Sequence, residues 1–419
     1  MAFTFIHTGD LHLDSPLSGL SRIEDARTKD IAAAPRRAFA ALVDFAIERQ
    51  VNVFLIAGDL WDGDWRDVSA GLFVQSEAGR LREAGIGVFA VLGNHDAQSL
   101  VTDRIRSIDA LHLFRSDAPS SAEWGEAVIH GMSYPEPAVR ENLAARYPPA
   151  VPGRINIGLL HTSLDGREGH ANYAPCNPAD LAARGYHYFA LGHVHTFELI
   201  QEEPASRGGT IAFCGVLQGR DVGEAGQKGA IYGKVEGDKV RVERIPFDFV
   251  TWFNEPVPLR PEEQPDTALR RALEAVAARA TGDIAAVRLT LTGETSAHYA
   301  LQTRQQELLE SARMAAGGLA GGRLLLEGVR VATTPPSAAP PTLPSHFEDF
   351  LLAAARDDTL TETAAADVKR MVTGLPSGVR AALDEALPEI AAFETDGRVG
   401  DLLTDAALRV AARLAPGER

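Results

Sequence analysis

The sequence predicts an α/β fold built on a layered sheet, and three observations carry that expectation. Short, nearly uninterrupted apolar runs recur through residues 1–250, amphipathic stretches with helical spacing lie between them, and small clusters of Asp, His and Asn follow the runs. Apolar runs of this length suit strands buried on both faces. In open α/β sheets ligands bind beyond the carboxyl ends of the strands, which is where these clusters fall.

Taken in order, the strand runs are Phe3-Thr4-Phe5-Ile6 and residues 51–56, 87–92, 155–160 and 188–191. Residues 35–50 and 68–84 read as helices, the first with Pro35 near its start and apolar positions at Phe39, Leu42, Val43 and Ile47. From 210 to 250 the pattern changes to hairpins: a run over 210–216, then 230–235 and 240–245 about a Gly237-Asp238 turn. This all-β ending is expected to complete a second sheet. Residues 255–332 read as a separate small α+β unit, with helices over 266–280 and 300–315 and strands over 286–291 and 323–331. Residues 333–344 hold five prolines in twelve residues, the composition of a stiff extended linker. Ser345-His346-Phe347-Glu348 then has the pattern of a capping box, opening an Ala-rich helical tail over 345–419 in which Phe347, Phe350 and Leu351 can form an apolar stripe.

Length and composition bound the function. A chain of 419 residues exceeds one ordinary core, so two or three domains are expected. Its 45% hydrophobic and 23% charged content excludes global disorder. No apolar stretch approaches the roughly 20 residues that span a bilayer, and no basic-then-apolar leader opens the chain; the expectation is a cytoplasmic protein with no membrane association. Cys176 and Cys214 give no CxxC pair and read as reduced thiols. With 41 Lys and Arg against 57 Asp and Glu the net charge is -16, the wrong sign for holding nucleic acid by bulk electrostatics. Any DNA contact must come from a local basic patch, a divalent metal or a partner.

Five clusters share one grammar, an apolar strand followed by Asp, His or Asn: Gly9-Asp10-Leu11-His12, Gly58-Asp59-Leu60-Trp61-Asp62, Gly93-Asn94-His95-Asp96, Leu160-His161-Thr162 and Gly192-His193-Val194-His195. Successive side chains of an extended chain point to opposite sides, so Asp10 with His12, and His193 with His195, present pairs of ligands to one side. The glycines before Asp10, Asp59, Asn94 and His193 are expected to permit tight turns. Asp10, His12, Asp59, Asn94, His161, His193 and His195 can then surround one small volume. Mixed carboxylate, amide and imidazole donors suit a borderline divalent ion such as Mn2+, Fe2+ or Zn2+. Seven donors are too many for one such ion, so two ions bridged by a carboxylate are expected, with Asp59 as the bridge. Any one cluster alone would say little; five in a consistent order after buried strands say much more.

The ordered set DxH, GDxxD, GNHD, a single His after a strand and GHxH resembles that of the calcineurin-like metallophosphoesterases over residues 1–250. Within that superfamily, residues 6–14, the form of the second motif and the following α+β unit resemble the SbcD-type DNA repair exonucleases, in particular their YhaO-like bacterial branch. The resemblance implies a two-sheet αββα sandwich over 1–250, a small α+β cap domain over 255–332, the Pro-rich linker 333–344 and the helical tail 345–419. It implies that Asp10, His12, Asp59 and His195 hold one ion, most often Mn2+, and that Asp59, Asn94, His161 and His193 hold the other. It also implies a catalytic His95 that faces the substrate as proton donor, with Asp62 orienting it. The family's archaeal and eukaryotic members usually carry a second His where this chain has Asp62, so a two-histidine mechanism does not transfer.

The expected activity is phosphodiester hydrolysis as a DNA repair exonuclease or endonuclease. The resemblance further implies an SMC-like ABC ATPase of the SbcC kind as partner, docked on a segment after the cap, and a homodimer. Arg22, Arg27, Lys29, Arg36 and Arg37, with Arg220 and Lys228, either form a basic rim for the DNA backbone or are solvated charges interleaved with Glu24, Asp25 and Asp30. His7, His112, His130, His170, His187, His298 and His346 read as structural or surface residues. Two other readings compete: a phosphomonoesterase or cyclic-nucleotide phosphodiesterase using the same two metals, and a non-catalytic scaffold.

Overall fold

A computed structural model describes residues 2–13, 15, 27–61, 68–98, 109–166, 172–260, 263–280, 282–335 and 357–373, with Ala353, Ala354 and Ala406. The roles expected of Asp62 and Arg22, the linker prolines beyond Pro335, the apolar stripe of Phe347, Phe350 and Leu351, and most of the tail fall outside these residues.

The chain begins with β1 (Thr4–Thr8), α1 (Thr28–Glu48), β2 (Val53–Ile56), α2 (Val68–Glu83), β3 (Gly87–Ala90) and β4 (His112–Leu113). Next come β5 (Ser120–Trp124), β6 (Ala127–Gly131), β7 (Ile155–His161), α3 (Pro178–Ala182), β8 (Tyr188–Gly192), β9 (Glu198–Glu202) and β10 (Thr210–Phe213). A hairpin of β11 (Gly229–Glu236) and β12 (Lys239–Pro246) leads to β13 (Val250–Pro258), α4 (Pro265–Arg279), β14 (Ile284–Glu294), α5 (His298–Thr303), α6 (Gln305–Gly317) and β15 (Leu324–Thr334), with α7 (Asp358–Thr373) beyond. Among the described residues the strands form two six-stranded sheets, ordered β12-β11-β1-β2-β3-β4 and β5-β6-β7-β8-β10-β9, and a three-stranded sheet β13-β14-β15.

Period-two alternation builds the layers. In β2, Phe54 and Ile56 turn toward α1 and α2, where they are buried with Phe39, Leu42, Val43, Val74 and Leu81. Val53 and Leu55 turn the other way and are buried between the sheets with Ile157, Leu159, Tyr188 and Ala190. The far face of the second sheet carries Leu160, Phe189 and Leu191, covered by Leu143, Tyr147 and Leu181. The result is the αββα sandwich, and runs that are apolar on both faces are what such strands require. No helix among the described residues is long and apolar enough to cross a membrane. Cys176 and Cys214 are buried free thiols.

Four details differ from the expectations. The β11–β12 hairpin joins the first sheet, where β11 pairs antiparallel with β1, and only β10 joins the second. The second sheet starts earlier, with the hairpin β5–β6, whose outer strand is too polar to read as apolar. Helix α1 starts at Thr28, so Pro35 lies in its interior. A proline there costs about 3 kcal/mol, and the extra turns persist because they bury Ile31 and Ala34 against Val222, Val250, Trp252, Ile284, Ala286 and Leu325. The helix expected over 300–315 is two helices, divided at Arg304.

The chain divides into two compact units, one of residues 1–254 with Val276–Val287 and Leu319–Glu327, the other of Glu255–Ala275, Arg288–Gly318 and Gly328–Arg419. In the second unit His298 Nδ1 lies 2.9 Å from Thr333 Oγ1, and Arg271 pairs with Glu263 at 3.1 Å.

Candidate metal centre

Within each sheet the strands that carry the clusters run parallel, β1 to β2 to β3 and β7 to β8, so their carboxyl ends share an edge. Beyond those ends the backbone turns sharply. Asp10, His12, Asp59 and His193 adopt φ values of 48°, 42°, 50° and 98°, a left-handed region that costs a non-glycine residue roughly 1–2 kcal/mol. Backbone bonds between the first two motifs hold them there: Asp10 N–H donates to Gly58 O at 2.9 Å, and the N–H groups of Leu11 and His12 to Asp59 O at 2.8 and 3.1 Å.

Only one of the four glycines serves as a left-handed hinge, Gly58 at φ 96°. The others are sites of close approach. A Cβ on Gly93 would lie 2.3 Å from Asp59 Oδ1, one on Gly192 2.1 Å from Ala57 O, and one on Gly9 3.2 Å from Ala57 Cβ. The expected ligands themselves adopt the left-handed backbone that was expected of these glycines.

The structure brings all seven expected ligands together. Asp10, His12 and His195 form one group whose ligand atoms lie within 4.8 Å of one another, and Asp10, Asp59 and His161 form a second. His12, Asp59 and His95 form a third, so His95 stands among the ligand atoms and not only beside them. Asn94 Oδ1 lies 3.0 Å from His161 Nε2 and 3.2 Å from His193 Nδ1. The His193 backbone N–H donates to both carboxylate oxygens of Asp10 at 3.0 Å, and the His95 N–H donates to Asp59 Oδ1 at 3.0 Å. The His95 ring meets that of His12 edge-on at 5.0 Å and is half-buried.

The donor set fits divalent ions. His161 Nδ1 donates to the Ala57 carbonyl at 2.8 Å, which leaves its Nε2 facing Asp59 Oδ2 at 3.5 Å. His195 Nδ1 is engaged by Glu224 Oε1 at 2.8 Å, which leaves its Nε2 3.3 Å from His12 Nε2. Without an ion these facing pairs can be reconciled only by a shared proton, and a divalent cation would take that proton's place. The electrostatics agree. Burial would raise the Asp59 carboxyl, but His161, and then His12 and His95, hold it far below the usual carboxylate range. Burial would lower His161, and the Asp59 charge instead pushes it up to about 9. Burial pushes Asp10 up.

Several residues matter that the motifs did not single out. Asp96 is fully buried; its Oδ1 accepts from the N–H groups of Leu60 and Trp61 at 2.8 and 3.3 Å, and its Oδ2 from Gly93 N–H at 2.9 Å. It ties the second motif to the third, and burial, then Asp59, pushes its carboxyl up to about 7. Tyr134 packs edge-on against His161 and Tyr173 lies against His193. Glu224 has no motif around it; its one trace in the sequence is an acidic residue four after Arg220.

Much of the expected basic rim is engaged elsewhere. Arg220 is paired to Glu224 at 2.6 Å, and Lys228 is buried. Arg27 donates to the carbonyls of Gly322 and Leu324 at 2.6 and 3.0 Å. Arg36 donates to Ser69 at 2.7 Å, and Arg37 pairs with Asp283 at 2.9 Å. Lys29 is exposed. His7 and His130 are structural: His7 lies between Tyr188 Oη at 2.8 Å and Leu191 O at 3.2 Å, and His130 between Ser121 Oγ and Asn156 Oδ1 at 2.7 and 3.0 Å.

Residues 3–197 match the calcineurin-like phosphoesterase family, and residues 256–334 match the middle domain of the metallophosphoesterase YhaO. The chain is 35% identical over 301 residues to an uncharacterized metallophosphoesterase YhaO of Bacillus subtilis, covering 69% of this chain and 72% of that protein. It is 28% identical over 201 residues to the DNA double-strand break repair protein Mre11 of Sulfurisphaera tokodaii, covering 47% of this chain and 50% of the relative. It is 25% identical over 269 residues to the Mre11 protein of Methanopyrus kandleri, covering 59% and 57%. The chain spans little more than half the length of these two Mre11 relatives. The motifs, the sandwich that gathers them and the extent of the YhaO match together place this chain in the calcineurin-like metallophosphoesterase family.

Proposed function

We propose that the protein is a two-metal phosphodiesterase that cleaves DNA and works with an SMC-like ABC ATPase. The observation that carries the catalytic part is the convergence of carboxylate and imidazole ligand atoms on one small volume: His161 Nε2 and Asp59 Oδ2 face each other at 3.5 Å, and His12 Nε2 and His195 Nε2 at 3.3 Å. Asp10, His12, Asp59 and His195 would hold one divalent ion and Asp59, Asn94, His161 and His193 the other, with Mn2+ the first candidate and Fe2+ or Zn2+ compatible with the same donors. Such ions polarise phosphoryl oxygens and bring the pKa of water near neutrality.

The chain's own groups do the rest. Asp59 Oδ2 lies 3.5 Å from His161 Nε2 and 4.0 Å from His12 Nε2, one expected ligand of each ion, which suits a shared carboxylate. The Ala57 carbonyl holds the His161 ring by its Nδ1–H at 2.8 Å. The half-buried His95 ring, whose backbone is tied to Asp59, is placed to give a proton to the leaving oxygen. The DNA reading is supported by the likeness to Mre11 proteins named for double-strand break repair. Full-length protein with Mn2+ should cut a labelled duplex or single strand. Hydrolysis of p-nitrophenyl esters alone would favour a phosphomonoesterase or cyclic-nucleotide phosphodiesterase, and DNA binding without any hydrolysis would favour a scaffold.

The ATPase reading places its docking on residues 345–419. The capping-box pattern at Ser345 and the spacing of Phe347, Phe350 and Leu351 support it, since such a sequence pattern suits a helix laid into a groove. Deleting 345–419 should abolish co-purification with the ATPase and leave Mn2+-dependent ester hydrolysis intact. Undiminished binding of the ATPase by the truncated protein would overturn this part.

A further inference from the structure

Glu224 lies in a short turn from Val222 to Glu224, far along the chain from the ligand motifs, yet its Oε1 sits 2.8 Å from His195 Nδ1. A carboxylate only accepts, so the ring carries its hydrogen on Nδ1 and turns the lone pair of Nε2 toward His12. Glu224 is held in turn by Arg220, whose Nη2 donates at 2.6 Å and whose backbone N–H donates at 2.8 Å. The segment that carries both is stitched to the strand start at Val250. The Gln218 side chain donates to Gly219 O and Val250 O at 2.8 Å and accepts from Phe249 N–H at 2.8 Å and Val250 N–H at 3.1 Å. Trp252 Nε1 donates to Gly219 O at 2.8 Å, and Val222 is buried beside Trp252 and Ile31. A carboxylate fixed this firmly has little freedom to serve as an ordinary surface charge.

We infer that Glu224, clamped by Arg220, is a positioning residue that sets the tautomer and orientation of the His195 ring and thereby the divalent-cation affinity of the group formed by Asp10, His12 and His195. The inference rests on the metal centre proposed above. Outer partners of a metal-binding histidine typically contribute 10- to 100-fold in affinity, because a ring with the wrong nitrogen protonated, or free to rotate, must be reorganised before it can ligate.

The test is a Mn2+ titration of metal-stripped full-length protein, followed by electron paramagnetic resonance of the free ion, with thermal unfolding of the same metal-free samples. Wild-type protein should take up two equivalents. Glu224→Ala should weaken one of them about 10- to 100-fold and leave the other, with metal-free unfolding little changed. Glu224→Gln keeps an acceptor oxygen for the ring N–H and should recover most of the loss. Equal binding by Glu224→Ala and wild type overturns the inference. So does equal weakening of both equivalents together with a lower unfolding temperature, or a Gln variant no better than Ala, since these mark a merely structural role. A wild-type protein that binds no Mn2+ overturns the metal centre itself, and this inference with it.

Discussion

Asp59 Oδ2 lies between His161 Nε2 at 3.5 Å and His12 Nε2 at 4.0 Å, and its Oδ1 accepts the His95 backbone N–H, so its removal touches more than one position of the site. Asp59→Asn should abolish ester hydrolysis and lower Mn2+ uptake below two equivalents while circular dichroism stays native; two retained equivalents with normal turnover would count against the shared role. Replacing His95 would separate proton transfer from ion holding. His95→Gln should lower the rate about a hundred- to ten-thousand-fold, the range of general acid-base catalysis, with Mn2+ uptake unchanged, and loss of an ion along with the rate would make His95 a ligand. His7 offers a test of stability against pH. Burial drives its pKa down to about 3 from an ordinary 6.5, so between those values the unfolded chain binds a proton that the folded chain refuses. Its contribution is complete above pH 6.5 and is lost as pH falls toward 3, with a slope of about 1.4 kcal/mol per pH unit. Comparing urea unfolding of wild type and His7→Gln from pH 7 to 4.5 should show the variant losing less stability over that interval. Equal losses would mean that His7 does not carry the slope.

At the scale of elements, the close approach at Gly192 marks where the two sheets meet. Gly192 ends β8 in the second sheet, Ala57 follows β2 in the first, and a Cβ at 2.1 Å from a backbone oxygen has no side chain to push aside. Gly192→Ala should therefore cost at least the roughly 1–3 kcal/mol of an overpacked core and loosen Mn2+ binding at the adjoining His193, both readable from urea midpoints and ion titration; a wild-type midpoint would show that the sheets can part without penalty. The parallel strands and their terminal clusters were legible in the sequence because each is local: a buried run and the residues that follow it. What was not legible depends on partners distant in the chain. The pairing of β11 with β1 joins residues 231 and 7, and nothing in the hairpin's own pattern says which sheet it will extend. Pro35 reads as a helix start because its local cost is visible and the burial of Ile31 and Ala34 is not. Glu224 lacks a motif because its partner is a ring at position 195, 29 residues away.

At the scale of the whole molecule, the apolar cluster under α1 draws on three separated stretches of chain. Ile31, Val222 and Trp252 share their burial with Ile284, Ala286 and Leu325, so a chain ending at 254 loses partners it needs. Burial of a Leu or Ile side chain contributes about 1.5–3 kcal/mol, and several such losses weigh heavily against a total of about 5–15 kcal/mol. A fragment of residues 1–254 should be unfolded or unfold at much lower urea than one of residues 1–335, which should match the full chain; equal midpoints for the two fragments would show the cluster to be dispensable. The spread of the ligands along the chain bears on synthesis as well as on stability. They run from Asp10 to His195 and come from both sheets, so a chain emerging from the ribosome has no complete site until its second sheet has closed on the first. Ions held as proposed would bind the finished fold and not the nascent one, and would stabilise it by mass action, about 2.7 kcal/mol at a hundredfold excess over Kd. A pulse of Mn2+ given before the second sheet closes would then find no complete site to fill.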